Sequence, residues 1–536
     1  MPQPAQFLFE NARVFTADPA RSSAEAVAVR DHRIVFAGSR SEIQSFKGPG
    51  TRVIDASGGT LMPGFIDSHF HMMYGALNLD GMQLEPATNY EEFSRILLAY
   101  AAEHPNDAWL PGTGLRYNVG PGHTPLSRHH LDALVADRPI YINAFDGHTS
   151  WANTLALKMA GIFNGGVTGP NSENVLDEHG ESTGELREPG AYQVVSDMVP
   201  KPDEVRQRAL LRQALKFTAA LGVTSVHNMD GNEQKAAIYA ALEDLGELTC
   251  RIYLPYSISP DIQLDTLEKE TSAMKQSYHG EMLRAGGVKI FMDGVIEGYT
   301  GLLVDPYADN PTTCGAANYD LEHFNRLVAE ADRLGLQIFT HSVGDMGVRR
   351  VLDAYQNAQS INRLRDSRHR IEHIELIQPD DLPRFKDLGV LASMQPLHSP
   401  MQVDENDIWP TRVGSERWPL SFAWQTLREA GATLIFGSDW PVVTQNPLKG
   451  VSNAITRKPW LDGLPRQNQT LESTLISYTR DAAYGEFQEH QKGQIREGYL
   501  ADLVMLPKDL FKIPPEEIAA LKPSLTMVDG HVVFEA

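Results

Sequence analysis

Short apolar segments recur through the middle of the chain, and a longer segment with helical periodicity follows each of them. The first begins at Phe65 and Ile66 after a Pro-Gly turn, and the others occupy residues 223–226, 252–254, 288–291, 336–339, 371–374, 390–394 and 433–436. After the second segment, successive starts are roughly 20 to 50 residues apart, which brackets the approximately 30 residues of a βα unit. The pattern predicts eight buried parallel strands, and therefore an α/β fold built as a (β/α)8 TIM-like barrel.

The interval between the first and second predicted strands is the longest, at about 160 residues, so we expect an insertion of roughly 100 residues there. The insertion covers about residues 105–200, is rich in Gly, Pro and Asn, and is predicted to contain a strand at 139–145 and a helix at 151–159. Thr88 and Glu91 match a capping box for the helix that precedes it. Because the insertion leaves the barrel after the first strand, it is well placed to act as a lid.

Both ends of the chain contain short alternating strands that are separated by polar turns. They lie at residues 7–15, 26–29 and 33–37 near the N-terminus and at 501–506, 525–528 and 531–534 near the C-terminus. Asp529 and Gly530 match a hairpin turn between the last two. We therefore predict one small β-sandwich domain built from both termini, residues 1–60 and 489–536, around a barrel domain at residues 61–488.

The composition restricts the partners that the protein can have. Lys and Arg number 47 against 69 Asp and Glu, a formal net charge of −22, and such a surface repels nucleic acid and anionic lipid. The two cysteines, Cys250 and Cys314, match neither a disulfide framework nor a cysteine zinc site. With no export signal and no apolar run of about 18 residues, we expect a cytoplasmic protein without nucleic-acid or membrane partners.

Six ionisable residues stand at or near the predicted C-terminal ends of barrel strands, where an apolar core would not place them. They are His69, His71, Lys289, His341, His373 and Asp439. His69 and His71 are two positions apart on a strand, so their side chains project to the same side and suit one metal ion. Since the strand ends of a barrel converge on one mouth, residues separated by 439 − 69 = 370 positions can meet there.

Several of these residues also have a purely structural interpretation. Lys289 could be paired with a carboxylate, because burying its charge alone costs several kcal/mol. His341 and His373 could each be a hydrogen-bonded core histidine, and Asp439 could cap the helix that follows the last strand. These alternatives stay open from the residues alone.

Several segments of the chain resemble the metal-dependent amidohydrolase superfamily, and within it amidohydrolase family 3. The segments are LMPGFIDSHFH, GGVKIFMDG, THSVGD, RIEHIE and GSDWP, with GQIREGYLADLVML near the C-terminus. The resemblance implies that His69, His71 and Asp439 hold one divalent ion. It implies that His341 and His373 hold a second, and that a carbamate formed from carbon dioxide on Lys289 bridges the two. Zn²⁺ is the expected metal, with Mn²⁺ or Fe²⁺ open.

The resemblance also implies an activity, the hydrolysis of a carbon–nitrogen bond in a small-molecule amide, N-formyl and N-acyl compounds included. A hydroxide shared by the metals would attack the carbonyl carbon, and Asp439 would carry its proton to the departing amine. Two shorter matches, DGHTSWAN and MQPLHS, assign His148 and His398 to polarising the carbonyl oxygen.

Two other functions stay open. A mononuclear deaminase of a heterocyclic amine would share the fold but would not need Lys289. A barrel without catalysis would serve as a binding protein, although the presence of all six ligand-type residues argues against it. The sequence does not determine the substrate or the oligomeric state, and a homodimer is among the states that it allows.

Overall fold

The computed structural model of the chain describes residues 2–166, 169, 171–403 and 407–536. In this part of the chain, the strands form one eight-stranded sheet, two six-stranded sheets and one four-stranded sheet. None of the helices described there is long and apolar enough to span a bilayer.

The N-terminal segment contributes strands to two of the smaller sheets. The strands are β1 (Phe7–Glu10), β2 (Arg13–Asp18), β3 (Arg21–Ala24), β4 (Ala26–Arg30), β5 (Arg33–Gly38), β6 (Arg52–Asp55) and β7 (Thr60–Pro63). The four-stranded sheet has the order β5-β4-β1-β6, whereas β2, β3 and β7 belong to a six-stranded sheet. The predicted strand at 7–15 is therefore two strands, and they lie in different sheets.

The first barrel strand, β8 (Phe65–Phe70), is followed by helix α1 (Met72–Asn78) and by a segment that forms a six-stranded sheet of its own. This segment, residues 82–196, is called the intervening segment below. Its elements are β9 (Met82–Gln83), α2 (Tyr90–Glu103), β10 (Leu110–Leu115), α3 (Arg128–Asp132), β11 (Ile140–Ala144), β12 (Thr149–Ala152), α4 (Thr154–Met159), β13 (Glu173–Leu176), β14 (Ser182–Arg187) and α5 (Pro189–Ser196).

Two local predictions in this region are wrong. The predicted helix at 151–159 begins only after its N-cap Asn153, because Trp151 and Ala152 pair with β11 as part of β12. The capping residues of α2 are shifted by one position. Asn89 caps the helix by accepting from Glu92 N at 3.0 Å, and the carboxylate of Glu92, not of Glu91, accepts from Thr88 N at 2.8 Å.

The rest of the barrel alternates strands and helices. Its elements are α6 (Glu204–Ala220), β15 (Val223–Asn228), α7 (Glu233–Asp244), β16 (Arg251–Ser257), α8 (Leu264–Ser277), β17 (Leu283–Phe291), α9 (Leu321–Arg333), β18 (Gln337–Ser342), α10 (Asp345–Asn362), β19 (Arg370–His373), α11 (Leu382–Leu388), β20 (Leu391–Met394), α12 (Ile408–Val413), α13 (Trp424–Glu429) and β21 (Thr433–Phe436). Thus all eight predicted barrel strands are present.

The eight strands are parallel neighbours in chain order from β8 to β21, which confirms the TIM-like barrel. The last strand meets the first at their C-terminal ends. There Asp439 N donates to His69 O at 2.7 Å, and His71 N donates to Trp440 O at 2.9 Å. The barrel therefore closes at the residues that the sequence assigns to metal binding.

Alternation along the barrel strands separates an apolar outer layer from a polar interior. Val288 and Ile290 of β17 and Ile371 of β19 are buried in the large apolar core of the chain. Lys289 and Arg370, their neighbours in the same strands, are also fully buried but carry charge. The interior of this barrel thus differs from one filled by branched apolar side chains.

After the barrel, the chain forms helices and then completes a sheet begun at the N-terminus. The elements are α14 (Pro447–Thr456), α15 (Leu471–Ser477), α16 (Arg480–Gly485), β22 (Leu503–Leu506), β23 (Leu525–Val528) and β24 (His531–Glu535). β22 pairs antiparallel with β7, and Phe9 and Val27 of the four-stranded sheet share an apolar cluster with Leu61 and Leu503 of the six-stranded sheet. The division of the chain into domains stays a prediction.

Candidate metal centre

The six residues predicted as metal ligands lie together at the C-terminal ends of the barrel strands. Five of them are buried, and His71 is partly exposed. His373 and Asp439 have φ angles of 76° and 63°, a left-handed conformation that is rare for residues other than glycine. Such a conformation costs on the order of 1–3 kcal/mol and persists where the surroundings enforce it. The fold therefore accepts local strain to place these two side chains.

One group of donor atoms is formed by His69, His71 and Asp439, whose ligand atoms lie within 4.8 Å of one another. His71 Nε2 is 3.1 Å and His69 Nε2 is 3.4 Å from Asp439 Oδ1. Although buried, this oxygen accepts no well-formed hydrogen bond from the described residues. Two imidazole nitrogens and a carboxylate oxygen that lie this close without a hydrogen bond between them are arranged as the ligands of one cation are. This group therefore fits a divalent metal ion.

A second group contains His373, His398 and the same carboxylate. His373 Nδ1 lies 3.8 Å and His398 Nε2 lies 3.7 Å from Asp439 Oδ2, and the two imidazole rings are nearly parallel at 5.7 Å. His398 Nε2 is buried and makes no hydrogen bond within the described chain. The sequence assigned His398 to the substrate, but this geometry also gives it the position of a ligand.

His341 is not part of the second group, although its ring lies 4.5 Å from that of His373. Its Nε2 donates to Gly294 O at 3.0 Å, which leaves Nδ1 with the lone pair. Burial lowers the pKa values of both His341 and His373 well below the ordinary value. Both imidazoles are therefore neutral at physiological pH, the form that binds metals.

Lys289 is fully buried beside the first group of donors, with Nζ 3.3 Å from His69 Nε2. Among the residues described, no carboxylate forms an ion pair with this ammonium group. Burial lowers the pKa of Lys289 to about 8, although the carboxylates of Glu372 and Asp439 oppose the shift. The neutral amine, which is the form that reacts with carbon dioxide, is therefore far more accessible than in an exposed lysine.

A buried carboxylate that the sequence analysis missed orients His69. Glu372 Oε2 lies 2.6 Å from His69 Nδ1, and Glu372 Oε1 accepts from Arg370 Nε at 2.5 Å. A carboxylate at Nδ1 fixes the proton there and leaves Nε2 free as a donor atom. The sequence contained the information needed to find this pair, because Arg370 and Glu372 are two positions apart on one strand and their side chains therefore lie on the same face.

A second missed glutamate holds His148. The His148 Nδ1 atom lies 3.0 Å from Glu188 Oε2, and its ring lies 5.2 Å from that of His341. Burial opposes the charged imidazolium, but the carboxylate of Glu188 raises the pKa of His148 to about 9. A Cβ atom on Gly294 would come within 2.0 Å of Glu188 Oε1, so the glycine makes room for this carboxylate. His148 is thus fixed at the barrel mouth as a donor of hydrogen bonds.

A cavity of about 1310 Å³ opens above these residues. The barrel contributes His71, Lys289 and Asp439 to its lining, whereas the intervening segment contributes aromatic and polar side chains, among them Trp109, Tyr141, Asn143, His148, Glu188 and Tyr192. The volume suffices for a small molecule with a bulky apolar group.

Fold and site together define a barrel hydrolase with a histidine-rich metal centre. The chain belongs to the amidohydrolase family of metal-dependent hydrolases, since the model of that family matches residues 52–534. It is 30% identical to the protein LONG AFTER FAR-RED 3 of Arabidopsis thaliana over an alignment of 516 positions that covers 94% of this chain and 87% of that protein.

Two further relatives support the same family. The chain is 25% identical to N-substituted formamide deformylase of Arthrobacter pascens over an alignment of 551 positions that covers 100% of this chain and 99% of that enzyme. The crystal structure of an uncharacterized metal-dependent hydrolase from Pyrococcus furiosus matches with 26% identity and a TM-score of 0.72, covering 94% of this chain and 100% of that one. The predicted resemblance is confirmed.

Replacing Arg370 with Met should destabilise the protein strongly, because it leaves the Glu372 carboxylate buried without its partner. The expected loss is about 3 to 5 kcal/mol in the free energy of unfolding, measured by urea denaturation. Arg349→Met is the matched control. Arg349 pairs with the buried Asp381 at 2.9 Å but is itself 31% exposed, and Asp381 keeps a second cation, Arg384, at 3.0 Å, so the loss should cost about 0 to 1 kcal/mol. Equal losses in the two variants would contradict this account of the barrel interior.

Proposed function

We propose that the protein hydrolyses a carbon–nitrogen bond in a small-molecule amide, such as an N-formyl or N-acyl amine, at a centre of two divalent ions. The observation that carries the proposal is Lys289, a fully buried lysine at the edge of the donor cluster that forms no ion pair with any carboxylate in the described part of the chain. A single-metal deaminase has no use for this amine, whereas a carbamate formed on it offers two oxygens to two cations.

The donor groups divide between the two ions in this proposal. His69, His71 and Asp439 would hold one ion, and His341 and His373 the other, with His398 available to either the second ion or the substrate. Carboxylated Lys289 would bridge them. When bound, the ions lower the pKa of a water molecule and polarise a carbonyl group. Zn²⁺ suits such imidazole-rich ligation best, and Mn²⁺ or Fe²⁺ would also fit.

Asp439 and His148 would move and hold the protons of the reaction. The Asp439 carboxylate accepts a proton from the attacking water and returns it to the amine nitrogen as the bond breaks. His148 has its Nδ1 engaged by Glu188, so only Nε2 is free to donate to the carbonyl oxygen as negative charge develops there. His398, whose Nε2 lies 3.7 Å from Asp439 Oδ2, would be the second donor to the carbonyl oxygen if it does not bind the second ion.

The intervening segment would form the lid over this site. In this interpretation about residues 105–200 are an insertion into the barrel domain, residues 61–488, and the two chain ends form the β-sandwich domain. The support is that the segment has a sheet of its own and contributes His148, Glu188 and Tyr192 to the cavity lining. The acyl or amine group of the substrate would then contact side chains of the segment rather than of the barrel.

A substrate panel combined with metal analysis tests the proposed function. The full chain is loaded with Zn²⁺, Mn²⁺ or Fe²⁺, its bound metal is counted, and amine release is measured from N-formyl, N-acetyl and aryl amides. The proposal expects two ions per chain and turnover of at least one amide class. One ion per chain, with ammonia released only from heterocyclic amines, would favour the deaminase instead.

Lys289→Ala should release at least one metal ion and abolish activity, because it removes the anionic bridge between two cations. Acetate or propionate should restore part of both by filling the vacated space. The measurements are bound metal per chain and amide turnover, with and without the added acid. Lys235→Ala is the matched control, since Lys235 also lines the cavity but pairs with Asp230 at 2.8 Å, and it should keep both ions. Full metal occupancy in Lys289→Ala would exclude the bridge.

Asp439→Asn should keep the fold but lose activity by about 100-fold or more, because an amide cannot carry a proton between water and amine near neutral pH. The turnover number and the melting temperature are measured together. Turnover near that of the original protein would assign the proton transfer to another group.

His148→Ala should lower turnover by about 100- to 1000-fold without loss of metal, since it removes a donor to the carbonyl oxygen. Glu188→Gln should lower turnover in the original protein but have no further effect in a His148→Ala background, because Glu188 acts through His148. Additive losses in the double variant would show that the two side chains act independently. Glu185→Gln, which removes a carboxylate paired with Arg187 in the same segment, serves as the control.

A further inference from the structure

A series of polar contacts crosses the barrel interior from the predicted ligand His69. It begins with His69 Nδ1, 2.6 Å from Glu372 Oε2, and continues from Glu372 Oε1 to Arg370 Nε at 2.5 Å. The guanidinium of Arg370 also donates to Ser68 O, the carbonyl that precedes His69, and to Ser393 Oγ at 2.7 Å. Arg370 thus holds the backbone next to His69 as well as its side-chain partner.

The series continues from Arg370 to residues that follow helix α16. Arg370 Nη1 donates to His227 Nδ1 at 2.7 Å, and His227 Nε2 faces Glu486 Oε1 at 3.4 Å. The same oxygen of Glu486 lies 2.7 Å from Lys492 Nζ, which also donates to Ser225 Oγ. The series therefore runs from the metal centre to residues 486–492, called the return segment below. Its weakest step is the 3.4 Å approach of His227 Nε2 to Glu486 Oε1, which does not have the geometry of a well-formed hydrogen bond.

The direction of each contact determines where the protons reside. Because a guanidinium can only donate, His227 Nδ1 must accept, and the proton of this imidazole is on Nε2, facing Glu486. Burial lowers the pKa of His227 to about 4, so the ring is neutral. At the other end, the Glu372 carboxylate keeps the proton of His69 on Nδ1. The series thus stabilises the tautomer of His69 that has its proton on Nδ1 and leaves Nε2 free to bind a metal ion.

Burying the charged side chains of this series costs desolvation free energy, which indicates that the series has a role beyond core packing. His227, Arg370 and Glu372 are 0% exposed, and Glu486 and Lys492 are each 3% exposed. Well-packed apolar side chains would stabilise such an interior equally well or better than buried ion pairs. Two carboxylates and two cations in the centre of the barrel are therefore poorly explained by stability alone.

We propose that Glu486 and Lys492 are positioning residues for the metal ligand His69, acting through His227, Arg370 and Glu372. The inference rests on the proposed function, because it takes His69 as a ligand. It adds that a segment beyond the barrel strands controls the affinity of the centre for metal from the opposite end of the barrel interior.

The test compares Glu486→Gln with Glu489→Gln in the full chain. Glu489 lies in the same segment and also pairs with an arginine, Arg368, at 2.9 Å, but among the described residues Arg368 makes no hydrogen bond or ion pair with His227, Arg370 or Glu372. Zn²⁺ dissociation constants are measured by competition with a chromophoric chelator, and melting temperatures are measured on the metal-free proteins. Glu486→Gln should raise the dissociation constant about 10-fold, the lower end of the effect of losing a group that supports a ligand. Glu489→Gln should leave it unchanged.

A second variant covers the case in which Glu486→Gln fails to fold because Lys492 loses its partner. The double variant Glu486→Gln/Lys492→Met removes both charges, so no unpaired ion is left buried, yet the series is still broken. It should show the same rise of about 10-fold in the Zn²⁺ dissociation constant. Its Co²⁺ complex should also have a visible spectrum different from that of the original protein, since His69 changes its orientation, whereas the Glu489→Gln spectrum should not change.

The outcomes separate this inference from the proposed function. Unchanged Zn²⁺ affinity and an unchanged Co²⁺ spectrum in the double variant would overturn the inference and leave the series a purely structural feature. If the original protein binds neither Zn²⁺ nor Co²⁺, the proposed function fails and the inference fails with it.

Discussion

Asp439 is the residue on which both the barrel and the site depend. Its backbone amide donates to His69 O at 2.7 Å and so joins the last strand to the first. One carboxylate oxygen faces His69 and His71, and the other faces His373 and His398. Because closure of the barrel and assembly of the donor groups use the same residue, an error in strand register would destroy the site. This dependence explains why a left-handed backbone conformation is maintained at Asp439.

Burial gives the site its chemical character. Among the ligand candidates, it keeps His341 and His373 neutral and brings the pKa of Lys289 to about 8. The same burial would make isolated charges prohibitively costly, so the carboxylates of Glu372 and Glu486 each have a cationic partner. The polar interior of the barrel is thus a consequence of placing unprotonated nitrogen donors in a site shielded from water.

The sequence predicted the elements that periodicity controls and missed those that depend on the path of the chain. The eight strands were found because each is a short buried run, and the clustering of the six candidate ligands because strand ends converge. Residues 151 and 152 were assigned to a helix, but antiparallel pairing with Tyr141 and Ile142 of the preceding strand, β11, overrides the local preference. The contact of His148 with Glu188 depends on how the residues between them fold, which no local pattern encodes. The position of His398 in a 3₁₀ turn, Pro396–His398, is equally outside the reach of strand alternation.

Three histidines at the barrel mouth share one arrangement that only the structure could show. The Nδ1 atoms of His69, His148 and His398 face Glu372, Glu188 and Glu375 at 2.6, 3.0 and 3.9 Å, respectively. A carboxylate on Nδ1 leaves Nε2 as the nitrogen available to a metal ion or a substrate. These glutamates come from a barrel strand, from the intervening segment and from the loop after β19, so their positions along the chain have no common spacing. For His69 and His148 the carboxylate is within hydrogen-bond distance and selects the nitrogen that faces the cavity, whereas at 3.9 Å Glu375 only lies on the Nδ1 side of His398.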